Sequence, residues 1–423
     1  MNTKGKGYKL ITIFIAALLF TAAMLGGCSC SNSDEPHSES LSNSYMGVDE
    51  SGFTASPNSE AMASSNSEAA ASPDSEASGT LTSKPSLDPV YLRAKELLGT
   101  MTLEEKVGQM FFVRCPSDDA VQKLGKYYIG GYILFANDFE GKTFSEAKRM
   151  IAEYLSFELT PFIAVDEEGG TVNRVSKFKA FRDEPFKSPQ ELYENGGFEA
   201  IRSDTDEKSS LLKSLGINFN FAPVCDISMN PSSFIYKRSF GKDANATSEY
   251  VEIVVEGMKT NGMGSVLKHF PGYGDNVDTH NSIGWDARPY SDFLESDFLP
   301  FRAGINAGAD MVMVSHNIMA CVDDHYPSSL SPAVHALLRN ELNFAKVIIT
   351  DDLTMSGSNE IASGGDGAIL AILAGNDMLC CSDFEIRIPA VIQAVKNGEI
   401  SVERIDESVL RILRLKLEMG LIA

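Results

Sequence analysis

Eight strand-length apolar runs, each followed by a longer segment with helical spacing, most constrain what this chain can fold into. They are Val107 to Val113, Ile129 to Phe135, Pro161 to Val165, Asn218 to Pro223, Met263 to Lys268, Met311 to Ser315, Lys346 to Thr350 and Asp377 to Cys381. Continuous rather than alternating hydrophobicity suits parallel strands covered on both faces, and the intervening helices suit right-handed crossovers. Helical candidates are Pro89 to Met101, Phe144 to Glu158, Ile201 to Gly216, Thr247 to Asn261, Leu294 to Ala307, Pro332 to Leu342 and Ile388 to Asn397. A last amphipathic helix carries Val402, Ile405, Val409, Ile412 and Leu413 after Ser401 as N-cap. Eight such units imply an α/β fold, a (β/α)8 TIM-like barrel forming one domain over residues 89–423.

Residues before that domain cannot contribute to it. Lys4, Lys6 and Lys9 precede an apolar stretch from Leu10 to Leu25 that is too short to span a bilayer comfortably, the pattern of a secretory signal over residues 1–27. It ends in Leu25-Gly26-Gly27-Cys28, which resembles the lipobox of bacterial lipoproteins and would make Cys28 a lipidated N-terminus; the alternatives are an ordinary signal with a nearby cysteine or an uncleaved anchor. Residues 28–88 are rich in Ser, Ala, Asn and Glu, with Lys84 as the sole Lys or Arg. Such a segment cannot offset its conformational entropy by burial, so a disordered tether is expected. The implied location is the extracellular face of a bacterial cell membrane, held by the lipid alone.

The net charge of −22 argues against nucleic acid or an anionic bilayer surface as partner, since both demand Lys and Arg patches. Seven cysteines occur without metal-ligand spacing, and no disulfide framework, metal or cofactor is expected.

Charged side chains fall just after the apolar runs. Asp166-Glu167-Glu168-Gly169-Gly170 follows the third, Asp226 the fourth, Lys268-His269 ends the fifth, His316 follows the sixth, Asp351-Asp352 the seventh and Asp383 the eighth. In a barrel these converge on the C-terminal rim, where active sites are built. Each has a bland counterpart: Asp351-Asp352 as helix caps, the acidic triplet as a solvated run or a hard-cation site, His316 and His335 as bonded structural groups. The stretch from Lys268 to His280 gathers two of six histidines around Pro271-Gly272-Tyr273-Gly274, which continues neither helix nor central strand.

Five motifs in this order resemble glycoside hydrolase family 3, in its single-domain bacterial β-N-acetylglucosaminidase branch. They are Val165 to Gly170 with Arg174, Phe221 to Asp226, Arg238-Ser239-Phe240-Gly241, Lys268 to His280, and Thr350 to Met355. The resemblance implies a retaining hydrolase that removes terminal β-linked N-acetylglucosamine from peptidoglycan fragments. Asp351 would be the nucleophile, with Asp352 as fallback, and His280 the acid/base oriented by Asp278. Asp166, Arg174, Arg238, Lys268 and His269 would bind the sugar hydroxyls, and glycines near His280 would let that loop close over substrate. The partner implied is a small glycan or muropeptide, with the protein a monomer. Tyr273 stands where the family loop commonly has histidine, and Thr171 where arginine is common. The sandwich domain of family β-glucosidases is not expected. Alternative readings are a phosphorylase or β-glucosidase of the same family, or a silent glycan-binding lipoprotein.

Overall fold

A computed structural model describes residues 88–276, 278–279, 282–355, 358, 361–362 and 364–423. The signal segment, Cys28, almost the whole tether and His280 lie outside the described residues.

Ten strands occur among the described residues: β1 Phe111–Arg114, β2 Gly131–Leu134, β3 Phe162–Val165, β4 Phe219–Asn220, β5 Gly264–Phe270, β6 Trp285–Asp286, β7 Met311–Val314, β8 Ile318–Met319, β9 Val347–Thr350 and β10 Leu379–Cys381. Eight of them form one parallel sheet in the order β10-β1-β2-β3-β4-β5-β7-β9. A parallel bridge between Ile349 and Met378 brings β9 back to β10, so the sheet closes on itself. Helices occupy the connections, and the fold is a (β/α)8 barrel. The barrel strands are buried almost throughout, as continuous apolar runs require. Strands β6 and β8 pair with each other in the connections beyond the C-terminal ends of β5 and β7.

Interior packing is aromatic. Phe112 stacks on Phe162 at 6.0 Å and meets Phe221 edge-on at 5.0 Å, while Phe162 meets Phe219 edge-on at 5.0 Å. Each such contact adds about 0.5–1.5 kcal/mol beyond burial. Gly264, at the start of β5, makes room for this layer, since a Cβ there would lie 2.5 Å from the Phe219 ring.

The opposite end is closed by polar contacts. The buried Asp377 carboxylate accepts from Arg411 at 2.9 Å, Arg339 at 2.5 Å, Ser408 at 2.9 Å and the Ile348 amide at 2.9 Å, tying the helix Val402–Glu418 to the barrel.

Several boundaries differ from the sequence expectation. Val107 to Met110 is not strand: Thr102 and Glu105 form a reciprocal capping box that starts a helix over Leu103–Gln109. The fourth run pairs only at Phe219–Asn220, because Pro223 has no amide to donate; a bridge from Val224 to Lys268 resumes the pairing. The expected helix Ile201 to Gly216 begins at Pro189 and is interrupted at Gly197, with φ 62°. Helices Ala120–Tyr127 and Gly364–Ala374 were not anticipated.

Candidate active site

The C-terminal ends of β1, β3, β5 and β9 and the loops after β3 and β4 supply the charged side chains of one cavity of about 290 Å³, on the scale of small-molecule sites. Asp166, Arg174, Arg238, Lys268, His269 and Asp351 all line it. Four carboxylates (Asp166, Glu168, Asp351, Asp352) face four fixed cations (Arg114, Arg174, Arg238, Lys268). This balance suits a neutral ligand rich in hydroxyls, which carboxylates and cations bind by charge-assisted hydrogen bonds.

Side-chain alternation divides the acidic triplet. Asp166 and Glu168 both reach Lys268 Nζ at 2.7 Å. Glu167 points the other way and accepts the amides of Arg174 at 2.7 Å, Val175 at 2.8 Å and Ser176 at 3.1 Å. Glu167 therefore folds the loop that delivers Arg174, whose guanidinium lies 3.7 Å from Asp166.

Glu168 is the site member that sequence reasoning left without a role. Arg238 holds it with two bonds, Nε to Oε2 at 3.0 Å and Nη2 to Oε1 at 2.8 Å. Burial alone would raise its pKa, but the Arg238 and Lys268 charges outweigh that and hold the carboxyl far below the usual range. Its two-residue spacing from Asp166 was the available signal.

Asp226 stands behind His269. One oxygen accepts the His269 amide at 3.1 Å and meets Nδ1 at 2.7 Å, while the other accepts the Tyr273 amide at 2.8 Å. With Nδ1–H donated to the carboxylate, Nε2 is left as an acceptor for the Arg238 guanidinium, 3.2 Å away.

Asp351 and Asp352 are not equivalent. The Asp352 carboxylate accepts the Thr354 amide at 2.9 Å and hydroxyl at 2.7 Å, and the Ser382 hydroxyl at 3.3 Å. This occupies it in shaping the turn. Asp351 accepts the Asp352 amide at 2.8 Å, and its own amide is fixed by Val314 O at 2.9 Å, at the end of the neighbouring strand β7.

His316 is buried between the Ser329 hydroxyl at 2.7 Å and the Asp352 carbonyl at 2.9 Å, so it supports the turn after β9. His335 is buried against Ser331 O at 2.8 Å, as a structural histidine should be. Asp383 does not join the cavity. It pairs with Arg387, a fully buried side chain that also donates to Gly364 O at 2.7 Å and Leu353 O at 3.2 Å. The residue after the eighth run is thus a strut.

Tyr273 is buried, edge-on to His269 at 5.2 Å and to Phe234 at 5.6 Å, and its hydroxyl meets that of Thr279. Burial pushes its phenol pKa well up, with the Asp351 charge adding to the effect. It is a neutral pillar between the β5 end and the residue that follows Asp278. Gly272 and Gly274 have φ of 120° and 54°. Cβ atoms there would lie 2.4 Å from Asp297 and 2.9 Å from Arg288, so close approach demands these glycines. Asp278 is half-buried on this loop and is not among the described residues that line the cavity; its expected partner His280 lies outside them.

Comparison with known proteins agrees with this geometry. Residues 102–415 match the glycosyl hydrolase family 3 N terminal domain. A beta-hexosaminidase of Nitrosomonas eutropha is 32% identical over 276 residues, covering 63% of this chain and 77% of the relative. Beta-hexosaminidase LpqI of Mycobacterium tuberculosis is 30% identical over 356 residues, covering 80% of this chain and 89% of the relative. Among solved structures, a family 3 beta-N-acetylglucosaminidase from a Paenibacillus species superposes with a TM-score of 0.71 at 30% identity, over 76% of this chain and 63% of that one. The chain belongs to glycosyl hydrolase family 3 and is a glycoside hydrolase.

Proposed function

We propose that the chain is a retaining exo-β-N-acetylglucosaminidase acting on terminal non-reducing β-linked N-acetylglucosamine. The observation that carries this reading is the grip of Asp166 and Arg238 around the buried Glu168 and Lys268, in the same charge-balanced cavity as Asp351. The beta-hexosaminidase relatives favour the N-acetylated sugar.

In this mechanism the grip orients the sugar hydroxyls, and Asp351 attacks the anomeric carbon to give a covalent glycosyl-enzyme. Asp352 is occupied by Thr354, which favours Asp351 as the nucleophile. His280, paired with Asp278, protonates the leaving oxygen and then deprotonates the incoming water. His269, held by Asp226, completes the sugar contacts.

The natural substrate is a small peptidoglycan fragment met outside the cell membrane. The Leu25-Gly26-Gly27-Cys28 motif supports anchoring through a lipid on Cys28, and mass analysis of the mature N-terminus tests it. The protein acts as a monomer, without metal or cofactor.

The deciding assay compares aryl β-N-acetylglucosaminide with aryl β-glucoside, each with phosphate varied. Preferential release from the acetylated substrate, with free N-acetylglucosamine as product, supports the reading. A sugar 1-phosphate would make the enzyme a phosphorylase, glucoside preference would make it a β-glucosidase, and no turnover would leave a glycan-binding protein.

A further inference from the structure

A second cavity, of about 270 Å³, lies between the helices Pro332–Ala336 and Val402–Glu418 and the end of the helix Gly364–Ala374. Arg339 there reaches Lys346 O, just before β9, and Arg411 reaches Asp377, just before β10, so the cavity sits at the barrel end opposite the active site. Its lining holds three arginines, Arg339, Arg404 and Arg411, against one carboxylate, Glu407. In a chain of net charge −22 this is a local excess of cations. The buried Asp377 offsets one more charge, which Arg339 and Arg411 share. Burial, with the Arg411 charge adding to it, outweighs Asp377 and holds the Arg339 and Arg404 pKa values below the ordinary arginine value. An anion would relieve that crowding.

The guanidiniums are held in place without being used up. Arg404 donates Nε–H to Ile372 O at 3.1 Å, Nη1–H to Ser408 Oγ at 2.7 Å and Nη2–H to Asn376 O at 2.8 Å. Arg411 donates Nη1–H to Asp377 Oδ1 at 2.9 Å and Nη2–H to Glu407 Oε1 at 2.7 Å. Each of these terminal nitrogens carries a second N–H, which these bonds leave over for a ligand. Clamping the C-terminal helix explains the bonds, but two arginines would already match the two carboxylates. His335 adds an acceptor to the same lining. Its Nδ1–H goes to Ser331 O at 2.8 Å, which leaves the buried Nε2 to accept. Among the described residues nothing donates to it, and nearby Asn376 spends its amide N–H groups on Ser329 O at 2.8 Å and Ala371 O at 2.7 Å.

We infer that this cavity binds a phosphate group still carrying one proton, as inorganic phosphate or a phosphomonoester, with Arg339, Arg404 and Arg411 donating to its oxygens and His335 Nε2 accepting from its hydroxyl. Guanidinium forks fit phosphate oxygens in shape as well as charge. The bound group bridges Arg404 and Arg411 of the last helix to Arg339 ahead of β9, so it fastens that helix to the barrel and leaves the catalytic cavity untouched.

The test titrates inorganic phosphate into the full chain by calorimetry at neutral pH and constant ionic strength, with sulfate as the oxyanion that carries no proton. Phosphate should bind about tenfold more tightly than sulfate and should raise the Tm. Arg404→Gln should weaken phosphate binding about tenfold, whereas Glu407→Gln, which removes the competing carboxylate at an exposed position, should tighten it about threefold. The glutamate variant keeps the test decisive if Arg404→Gln fails to fold. Phosphatidylcholine vesicles with and without phosphatidic acid separate the sources of the group: cosedimentation that Arg404→Gln abolishes identifies a lipid headgroup, and phosphate binding without cosedimentation identifies a free phosphate. Absence of phosphate binding, equal affinity for sulfate, or a phosphate affinity unchanged in both variants overturns the site. The N-acetylglucosaminidase reading stands in each case, since none of these residues lines the catalytic cavity.

Discussion

Glu168 and Arg238 meet in a two-bond fork, and Lys268 shares one oxygen of the same carboxylate at 2.7 Å. This relationship explains how a buried lysine and a partly buried arginine are held ready for a neutral ligand. Removing one partner of a buried ion pair strands the other, at a cost of about 3–5 kcal/mol. Glu168→Ala should therefore lower thermal stability by that order. Glu168→Gln, which keeps the shape, should mainly weaken substrate binding, raising KM for an aryl β-N-acetylglucosaminide at least about tenfold. Melting curves and initial rates separate the two effects, and an unchanged KM in the glutamine variant would remove Glu168 from the sugar grip.

Asp351→Asn should reduce kcat by roughly a thousandfold or more, because the covalent step loses its attacking oxygen. Asp352→Asn should cost less, about tenfold, since its carboxylate shapes the turn through Thr354 and Ser382. The reverse order would exchange the two roles. Intact-protein mass spectrometry of the wild type with a slow substrate should find one sugar attached, on the peptide containing Asp351.

His280→Ala should slow substrates with poor leaving groups by about a hundredfold while sparing nitrophenyl glycosides, whose leaving oxygen needs little protonation. Measuring kcat/KM against leaving-group pKa gives a steeper dependence in the variant than in the wild type. Parallel lines would argue against an acid role.

Tyr273→Phe removes the hydroxyl that meets Thr279 and keeps the ring contacts with His269 and Phe234. Stability should fall by only about 0.5–1.5 kcal/mol, the net value of one hydrogen bond. Turnover should fall further, about tenfold, because Thr279 lies between Asp278 and His280 and a displaced acid is costly. Equal and small changes in both quantities would make Tyr273 a packing residue.

The barrel was readable from sequence because parallel strands buried on both faces leave uninterrupted apolar runs, and eight such runs close into few folds. Their edges were less readable. Val107 belongs to the buried end of a helix that looks like strand by hydropathy, and the informative signal was the Thr102–Glu105 capping box. Within the site, Asp166, Arg174, Arg238, Lys268, His269 and Asp351 do share one cavity. Glu168 escaped assignment because its role depends on cations 70 and 100 residues away in sequence, which only the closed barrel brings together. Asp383 was misplaced for a different reason: its partner Arg387 is only four residues on, but nothing in the local sequence says that this arginine is buried. Loop closure was inferred from Gly272 and Gly274, yet the structure uses these glycines to bring the chain close to Asp297 and Arg288.

Lys416 gives a prediction about stability rather than turnover. Its ammonium is fully buried at the end of the barrel opposite the cavity, donating to Gln109 Oε1 at 2.6 Å and lying 5.1 Å from the Phe162 ring. Burial pushes its pKa down from 10.5 to about 7. Below pH 7 the lysine is charged in folded and unfolded chains alike, and the folded state bears the whole desolvation cost. Between about 7 and 10.5 the unfolded chain binds the extra proton, so this group's contribution to stability rises with pH. Above 10.5 both forms are neutral and the cost vanishes. Lys416→Met keeps the apolar stem and removes the charge, a change of about 5 kcal/mol at low pH, against about 1–3 kcal/mol for leaving Gln109 Oε1 unpartnered. The variant should therefore be more stable than wild type at pH 6, lose that advantage as pH rises, and be the less stable of the two near pH 10. Denaturant melts at pH 6, 8 and 10 measure this crossover, and a stability difference independent of pH would mean that Lys416 folds with its charge fully compensated.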